Sequence, residues 1–236
     1  MTQQLSATTY ALLGLLAIRS WTGYELTQQL RRSLHFVWPS SEGHLYREQK
    51  RLIEIGWASM SREPVGRRQR NRYTISDEGR AALREWLRTE PGPPRLEIEG
   101  LVRMFYGDQG DVEDMLRSME ATRDQARSML DELVEFADEY LEPGGPLQML
   151  EAGSVTAESQ APRAFHGRPQ FPERLHVVAL VLDVTTTLLA DLDIALAAAA
   201  GDVRTWSSTT DDQTVTATRA RLERIRQRRP RTSAGR

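Results

Sequence analysis

The sequence predicts a mainly α-helical protein in two parts, and three observations predict it. Apolar residues recur at helical spacing through most of the chain, residues 57–62 and 72–75 suit a pair of strands, and Pro91, Pro93 and Pro94 interrupt the pattern. Charge changes sign at the same place. Residues 1–90 hold 14 Arg+Lys against 9 Asp+Glu, a net +5; residues 91–201 hold 8 against 20, a net −12; residues 202–236 hold 9 against 4, a net +5. A basic part beside an acidic one points to a polyanion as partner for the first part only. The expected division is therefore 1–92, 93–201 and a basic tail, 202–236, without fixed structure.

The elements of the first part follow in order. Residues 8–19 bring Leu12, Leu13, Leu15, Leu16 and Ile18 into one short helix. Thr22 is an N-cap for a second helix, residues 23–34, with Tyr24, Leu26, Leu30 and Leu34 at helical spacing. Pro39-Ser40-Ser41 stops the chain and caps a third, about 41–55, ended by Gly56. Its apolar residues Leu45, Leu52 and Ile53 form a narrow stripe, so most of its surface faces elsewhere. Trp57–Arg62 and Arg72–Ile75 read as strands around a hairpin tip, EPVGRRQRN, and Ser76 opens a helix with Leu83, Trp86 and Leu87 on one face. Three helices, a hairpin and a linking helix are the winged helix-turn-helix order.

That order suits duplex DNA for a physical reason. A helix fits the major groove, and residues near its N-terminus reach base edges. The third helix shows Ser40, Ser41, Glu42, His44, Arg47, Lys50 and Arg51 around its exposed faces, and the free N–H groups at its start suit a phosphate. The hairpin adds Arg67, Arg68, Arg70 and Arg72, whose guanidiniums suit the sugar-phosphate backbone. Trp38 and Trp57 read as core anchors.

The stretches YALLGLLA (10–17), TGYEL (22–26), WPSSEGHLY (38–46), RLIEIGW (51–57) and RYTISDEGRAAL (72–83) resemble the PadR-like transcriptional regulators. The resemblance covers residues 8–90 well and the acidic part loosely. It implies a winged-helix DNA-binding domain followed by an α-helical dimerisation domain, and a Tyr46 hydroxyl on a phosphate. The chain departs from the pattern at Arg47, where proline is common, and at Gln49, where leucine is usual. The loop at 143–172 and the basic tail are unlike the compact family form.

The second part reads as helices at 96–107, 111–141 and 173–200, with the loop between the last two holding one helical turn at 147–152. The last helix is apolar over most of its circumference. Leu175, Val178, Leu182, Leu189, Leu192 and Leu196 make its broad stripe, widened by Val177, Leu180, Val181, Val184 and Leu188. So apolar a lone helix needs cover on more than one side, which predicts a homodimer through that stripe. Trp86, Met104, Phe105 and Tyr106 cluster at the junction of the parts, a candidate pocket for an apolar or aromatic small-molecule effector.

Other classes find little support. With no cysteine, disulfides, thiol catalysis and thiolate metal sites are excluded. His35, His166 and His176 have no second ligand at metal spacing, and no nucleophile–base pair or Gly-rich phosphate loop marks an enzyme or a cofactor. The N-terminus lacks a secretory leader, and Asp183, Asp191 and Asp193 interrupt the run Val177–Ala200, so a cytoplasmic protein without a membrane span is expected. A repressor acting on double-stranded operator DNA is the leading reading. The rival, a winged helix that binds protein and not specific DNA, would need an acidic or apolar third helix, and this one is basic.

Overall fold

In the computed structural model, which describes residues 5–65, 68–153, 163–166, 168–210 and 215–228, the chain forms two compact units. The first joins Met1–Arg95 to Gln148–Glu173, and the second joins Leu96–Leu147 to Arg174–Arg236. The first crossing falls just past the proline cluster. The loop expected within the second part instead belongs mostly with the first, where Phe171 packs 5.7 Å from Trp21, ring to ring.

The first unit runs α1 (Ala7–Ile18), β1 (Trp21–Thr22), α2 (Gly23–Leu34), α3 (Glu42–Glu54), β2 (Ala58–Val65), β3 (Arg68–Ile75) and α4 (Asp77–Trp86), the winged helix-turn-helix order. Each helix starts where a hydroxyl can cap it. Ser6, Thr22, Ser41 and Ser76 each accept a hydrogen bond from the backbone N–H three residues on, worth about 1 kcal/mol apiece. Thr22 and Glu25 complete a reciprocal capping box. α3 stops at Gly56, whose φ of +76° suits a residue without a Cβ. Leu12, Leu13, Leu16, Leu26, Leu45 and Leu52 fill the core with Trp21, whose indole N–H donates to the Leu15 carbonyl. Tyr24, read from the sequence as part of this stripe, is exposed, because its place in the first turn of α2 faces away from α1 and α3.

The sheet has the order β1-β3-β2, antiparallel throughout. Pairing of β2 with β3 extends from Ala58↔Ile75 to Val65↔Arg68, so only residues 66 and 67 lie between them. The wing is thus a long ribbon, and the expected loop of nine residues is mostly strand, since a two-residue connection preserves every cross-strand hydrogen bond. α4 packs closely on the start of this ribbon: a Cβ at Gly79 would lie 2.1 Å from the Trp57 carbonyl oxygen. Glycine there is a condition of the close approach.

In the second unit α5 (Glu99–Phe105) leads through a 3-10 turn into α6 (Val112–Leu141). Asp111 caps α6 in a capping box with Asp114. The chain then passes through α7 (Pro146–Glu151) and a small hairpin of β4 (Arg163–Phe165) and β5 (Arg168–Gln170). It continues as α8 (Leu175–Val203) and ends in α9 (Val215–Gln227). The expectation of an unstructured tail is corrected at α9, where Ala, Arg, Leu, Glu and Gln supply strong helix formers over 13 residues.

α6 and α8 pack along their length and run antiparallel. Met119 lies in one cluster with Ala200 and Val203, and Arg123 pairs with Asp193 at 2.9 Å. Buried residues recur on α6 at 119, 122, 126 and 133, and on α8 at 185, 196, 200 and 203, the three-and-four spacing of a two-helix seam. Among the described residues no helix is long and apolar enough to cross a membrane.

Candidate nucleic-acid interface

α3 has one inner and one outer face. Leu45, Gln49 and Leu52 are fully buried and Glu48 is 6% exposed, while Gly43, Tyr46, Arg47, Lys50 and Glu54 form an exposed ridge at helical spacing. Two of the inner residues are polar, and both hydrogen-bond to neighbouring helices, Gln49 through its Nε2 alone. The Thr9 hydroxyl of α1 donates to Glu48 Oε2, and Glu48 Oε1 lies 3.8 Å from Arg51. Gln49 Nε2 donates to the Gly23 carbonyl at 3.1 Å and to Thr27 Oγ1 at 2.9 Å, both on α2. Gln49, expected to weaken the apolar pattern, instead ties α3 to α2. Leucine packing is non-directional, so these bonds to α1 and α2 set the rotation of α3 about its axis and aim its outer ridge.

The sequence-predicted residues separate on this frame. Tyr46, Arg47 and Lys50 stand on the outer ridge. Ser41 spends its hydroxyl on the cap, while Ser40 and His44 are half-buried at the start of the helix. Glu42 occupies the first turn and pairs with Arg31, so an acidic side chain already complements that helix terminus. Arg51 is turned towards Glu48 and only a quarter exposed.

On the wing, Arg70 and Arg72 alternate with buried Tyr73 and Ile75 and occupy the face opposite the core. Arg70 is exposed. Arg72 pairs with Glu63 at 2.6 Å and donates to the Ser20 carbonyl at 3.2 Å, which braces the sheet. That pairing, with burial opposing it, raises the Arg72 pKa further above its ordinary value. Arg68 opens β3, and Arg67 lies outside the described residues.

Sequence reasoning missed Glu48, Thr9 and Thr27 as the groups that hold the ridge in place. The signal was present: residues 45, 48, 49 and 52 share one helical stripe, so 48 and 49 face inward whatever their polarity. It also missed Arg19, which stacks 3.8 Å over the Trp21 ring and is withdrawn from solvent; burial lowers its pKa despite Glu25 nearby. Trp38, expected as a core anchor, is 45% exposed and held by its indole N–H on Thr8 Oγ1. Trp57 is half-buried against Tyr10.

The candidate effector residues occupy different surroundings. Trp86 stacks on Tyr10 in the first unit, with centroids 4.8 Å apart and planes 4° from parallel. In the second unit, Met104 packs with Met119, Ala200 and Val203, whereas Phe105 and Tyr106 are exposed and meet edge to face. A cavity of about 550 Å³ opens between α5 and α6, and Tyr106 alone of the four lines it. The dimer stripe is likewise redistributed. Leu175, Val178, Leu182, Leu189 and Leu192 are half-buried and Leu196 is 4% exposed, on the same face as the buried seam residues. Val177, Leu180, Val181, Val184, Leu188 and Ile194 make the exposed apolar face instead, five of them the residues expected only to widen the stripe.

Residues 12–85 match the transcriptional regulator PadR-like family. The negative transcriptional regulator PadR of Bacillus subtilis (strain 168) is 28% identical over 99 residues, 41% of this chain and 54% of that protein. The matched stretch thus spans about half the length of that relative. A probable transcriptional regulator of Mycobacterium tuberculosis, Rv1176c, is 27% identical over 171 residues, 64% of this chain and 90% of the relative. Among solved structures, Bacillus subtilis PadR in complex with operator DNA superposes with a TM-score of 0.60 at 19% identity, covering 84% of this chain and 99% of that one. The PadR-like regulator BC1756 of Bacillus cereus gives 0.57 at 17% identity, with 84% and 98% covered. At these identities the superpositions establish a shared fold.

Proposed function

Because the chain carries in residues 12–85 the domain of the PadR-like transcriptional regulator family, we propose that it is a sequence-specific DNA-binding regulator, acting as a homodimer and repressing transcription. The observation that carries this reading is the outer ridge of α3. Tyr46, Arg47 and Lys50 are exposed together on a helix whose orientation is fixed by buried bonds to α1 and α2. Arg47 and Lys50 are long cations suited to acceptors on guanine edges, and Tyr46 and Arg70 are suited to phosphates. The PadR of Bacillus subtilis is described as a negative regulator, which supports repression as the mode of action.

The exposed apolar face of α8 supports the homodimer. A two-fold pair would set two α3 ridges into successive major grooves, about 34–36 Å apart. An aromatic small molecule as effector draws support from the solved complex of Bacillus subtilis PadR with p-coumaric acid. In this chain the cavity between α5 and α6, or the surface around Trp86 and Tyr10, are the places to seek it.

The test is binding to the promoter of the chain's own gene against random duplex over a range of salt. The proposal expects tight, salt-dependent binding to both, with a preference of at least about 10³-fold for the promoter. Weak binding with no salt dependence would leave the winged helix as a protein-interaction module.

A further inference from the structure

α9 has no role in the function proposed above. It is an amphipathic helix whose apolar residues Val215, Leu222 and Ile225 are each more than half exposed, and they follow the i, i+7, i+10 spacing of a single stripe. Arg219 and Arg226 line the shallow groove beside that stripe. On the other side Arg221 pairs with Asp202, with Arg224 at 4.0 Å from the same carboxylate, which places α9 next to the end of α8.

The acidic complement is on α6. Residues 128–142 hold six acidic side chains and no basic one, and two exposed apolar residues, Val134 and Leu141, stand seven positions apart among them. Val215 and Leu222 have the same separation. A basic helix laid there would meet Asp131, Glu135 and Asp138, all exposed, and cover the two apolar side chains at once.

A chain's own α9 is badly placed to do so. α6 and α8 are antiparallel, and the Arg204–Glu120 pair of 2.8 Å sets the end of α8 beside the first third of α6. Asp138 lies about 27 Å further along α6, whereas α9 reaches only about 10 Å to either side of its anchor at Arg221. In a second copy the geometry reverses. Two α8 helices packed antiparallel through their exposed face bring the end of one α8 next to the start of the other, which is where the other chain's α6 ends.

We propose that α9 is a clasp for a second copy of this chain, its Val215–Leu222–Ile225 stripe and flanking arginines docking on the acidic C-terminal half of the other copy's α6. The proposal rests on the homodimer reading and assigns that dimer a second contact. It also accounts for the opposite charges of residues 91–201 and 202–236.

Because the chain has no cysteine, single cysteines can report the contact directly. Full-length Arg226→Cys chain is mixed with tagged full-length Glu135→Cys chain and oxidised gently. A disulfide between the two copies is expected, formed faster than the disulfide within either single-variant pair. In parallel, sedimentation of R219E/R226E should show the dimer Kd raised about tenfold, an effect that fades at high salt and is reversed by adding E135R/D138R. A double R226C/E135C chain that closes on itself as a monomer would overturn the proposal, as would an unchanged dimer Kd in R219E/R226E. If that variant keeps its Kd but loses affinity for random duplex or for anionic vesicles, α9 serves DNA or a lipid surface and the clasp is refuted. A wild-type chain that is monomeric at tens of micromolar would refute the dimer reading itself.

Discussion

α3 and α8 solve the problem of a helix face in opposite ways. α3 buries polar groups, Glu48 and Gln49, and leaves charged and polar ones outside; α8 is apolar on both sides, with Leu196, Ala200 and Val203 inside and Leu180, Val184, Leu188 and Ile194 outside. The buried polar groups of α3 are hydrogen-bonded to α1 and α2, so its orientation is specified by directional contacts within one chain. The outer face of α8 finds no such partner among the described residues of its own chain, and an apolar surface in water is satisfied only by more apolar surface. One helix turns charge to solvent. The other turns apolar surface to solvent, which the proposed homodimer would cover.

The comparison is broken most severely by making α8 polar outside. L180E/L188E should give a monomer in sedimentation and lower operator affinity by about 10²-fold or more, since two linked sites lose their shared avidity. Thermal unfolding of the winged-helix unit should be unchanged. If the variant stays dimeric, the contact lies elsewhere.

Next in size is the interior of α3. Leu52 is fully buried, and Leu52→Ala should cost about 2–5 kcal/mol in denaturant unfolding, with operator and random binding lost together as the unit melts. Selective loss of operator preference without destabilisation would mean that Leu52 is not part of the core.

The outer ridge divides more finely. Arg47→Ala or Lys50→Ala should narrow the gap between operator and random duplex by about 1–3 kcal/mol if either reads a base. Arg70→Ala should instead weaken both equally and flatten the salt slope by about 0.9. A uniform loss from Arg47→Ala would move that side chain to the phosphate group of contacts. Gln49→Leu should change stability by less than about 1 kcal/mol, because the lost bonds to Gly23 and Thr27 are offset by removing a buried Oε1 that has no partner. Its signature is a shifted operator preference at constant stability, since leucine cannot hold the rotation of α3.

The smallest expected effect is on the α6–α8 seam. Asp193 sits between Arg123 at 2.9 Å and Arg127 at 3.1 Å. Desolvation is the largest single influence on its carboxyl and pushes it upward, but hydrogen bonds and charge from the two arginines outweigh it and hold the pKa below the usual range. A lowered folded-state pKa contributes stability above the unfolded value, near about 3.9, and that stability is lost as pH falls through the folded value. Asp193→Asn should therefore lower Tm slightly at neutral pH, with the difference from wild type shrinking below about pH 4.

Much of this was legible in the chain itself. The helix starts at Thr22, Ser41 and Ser76 and the stop at Gly56 are local signals, each decided by a cap or a φ angle. They required no knowledge of what packs on what. The order of helices and strands followed from them, and with it the placing of Tyr46, Arg47 and Lys50 on one helix.

Tertiary structure decided which face of each element is inside. Periodicity finds a stripe on α8 but cannot say which of two apolar stripes meets α6, because both bury well; the match of Leu189, Leu192 and Leu196 to the α6 seam made that choice. It also gave Arg72 and Arg51, both expected to face DNA, carboxylate partners, since Glu63 and Glu48 come within reach of them only in the folded unit. Charge type and helical position are properties of a sequence. A charge's partner, and so its availability to DNA, depends on distances that exist only once the chain has folded.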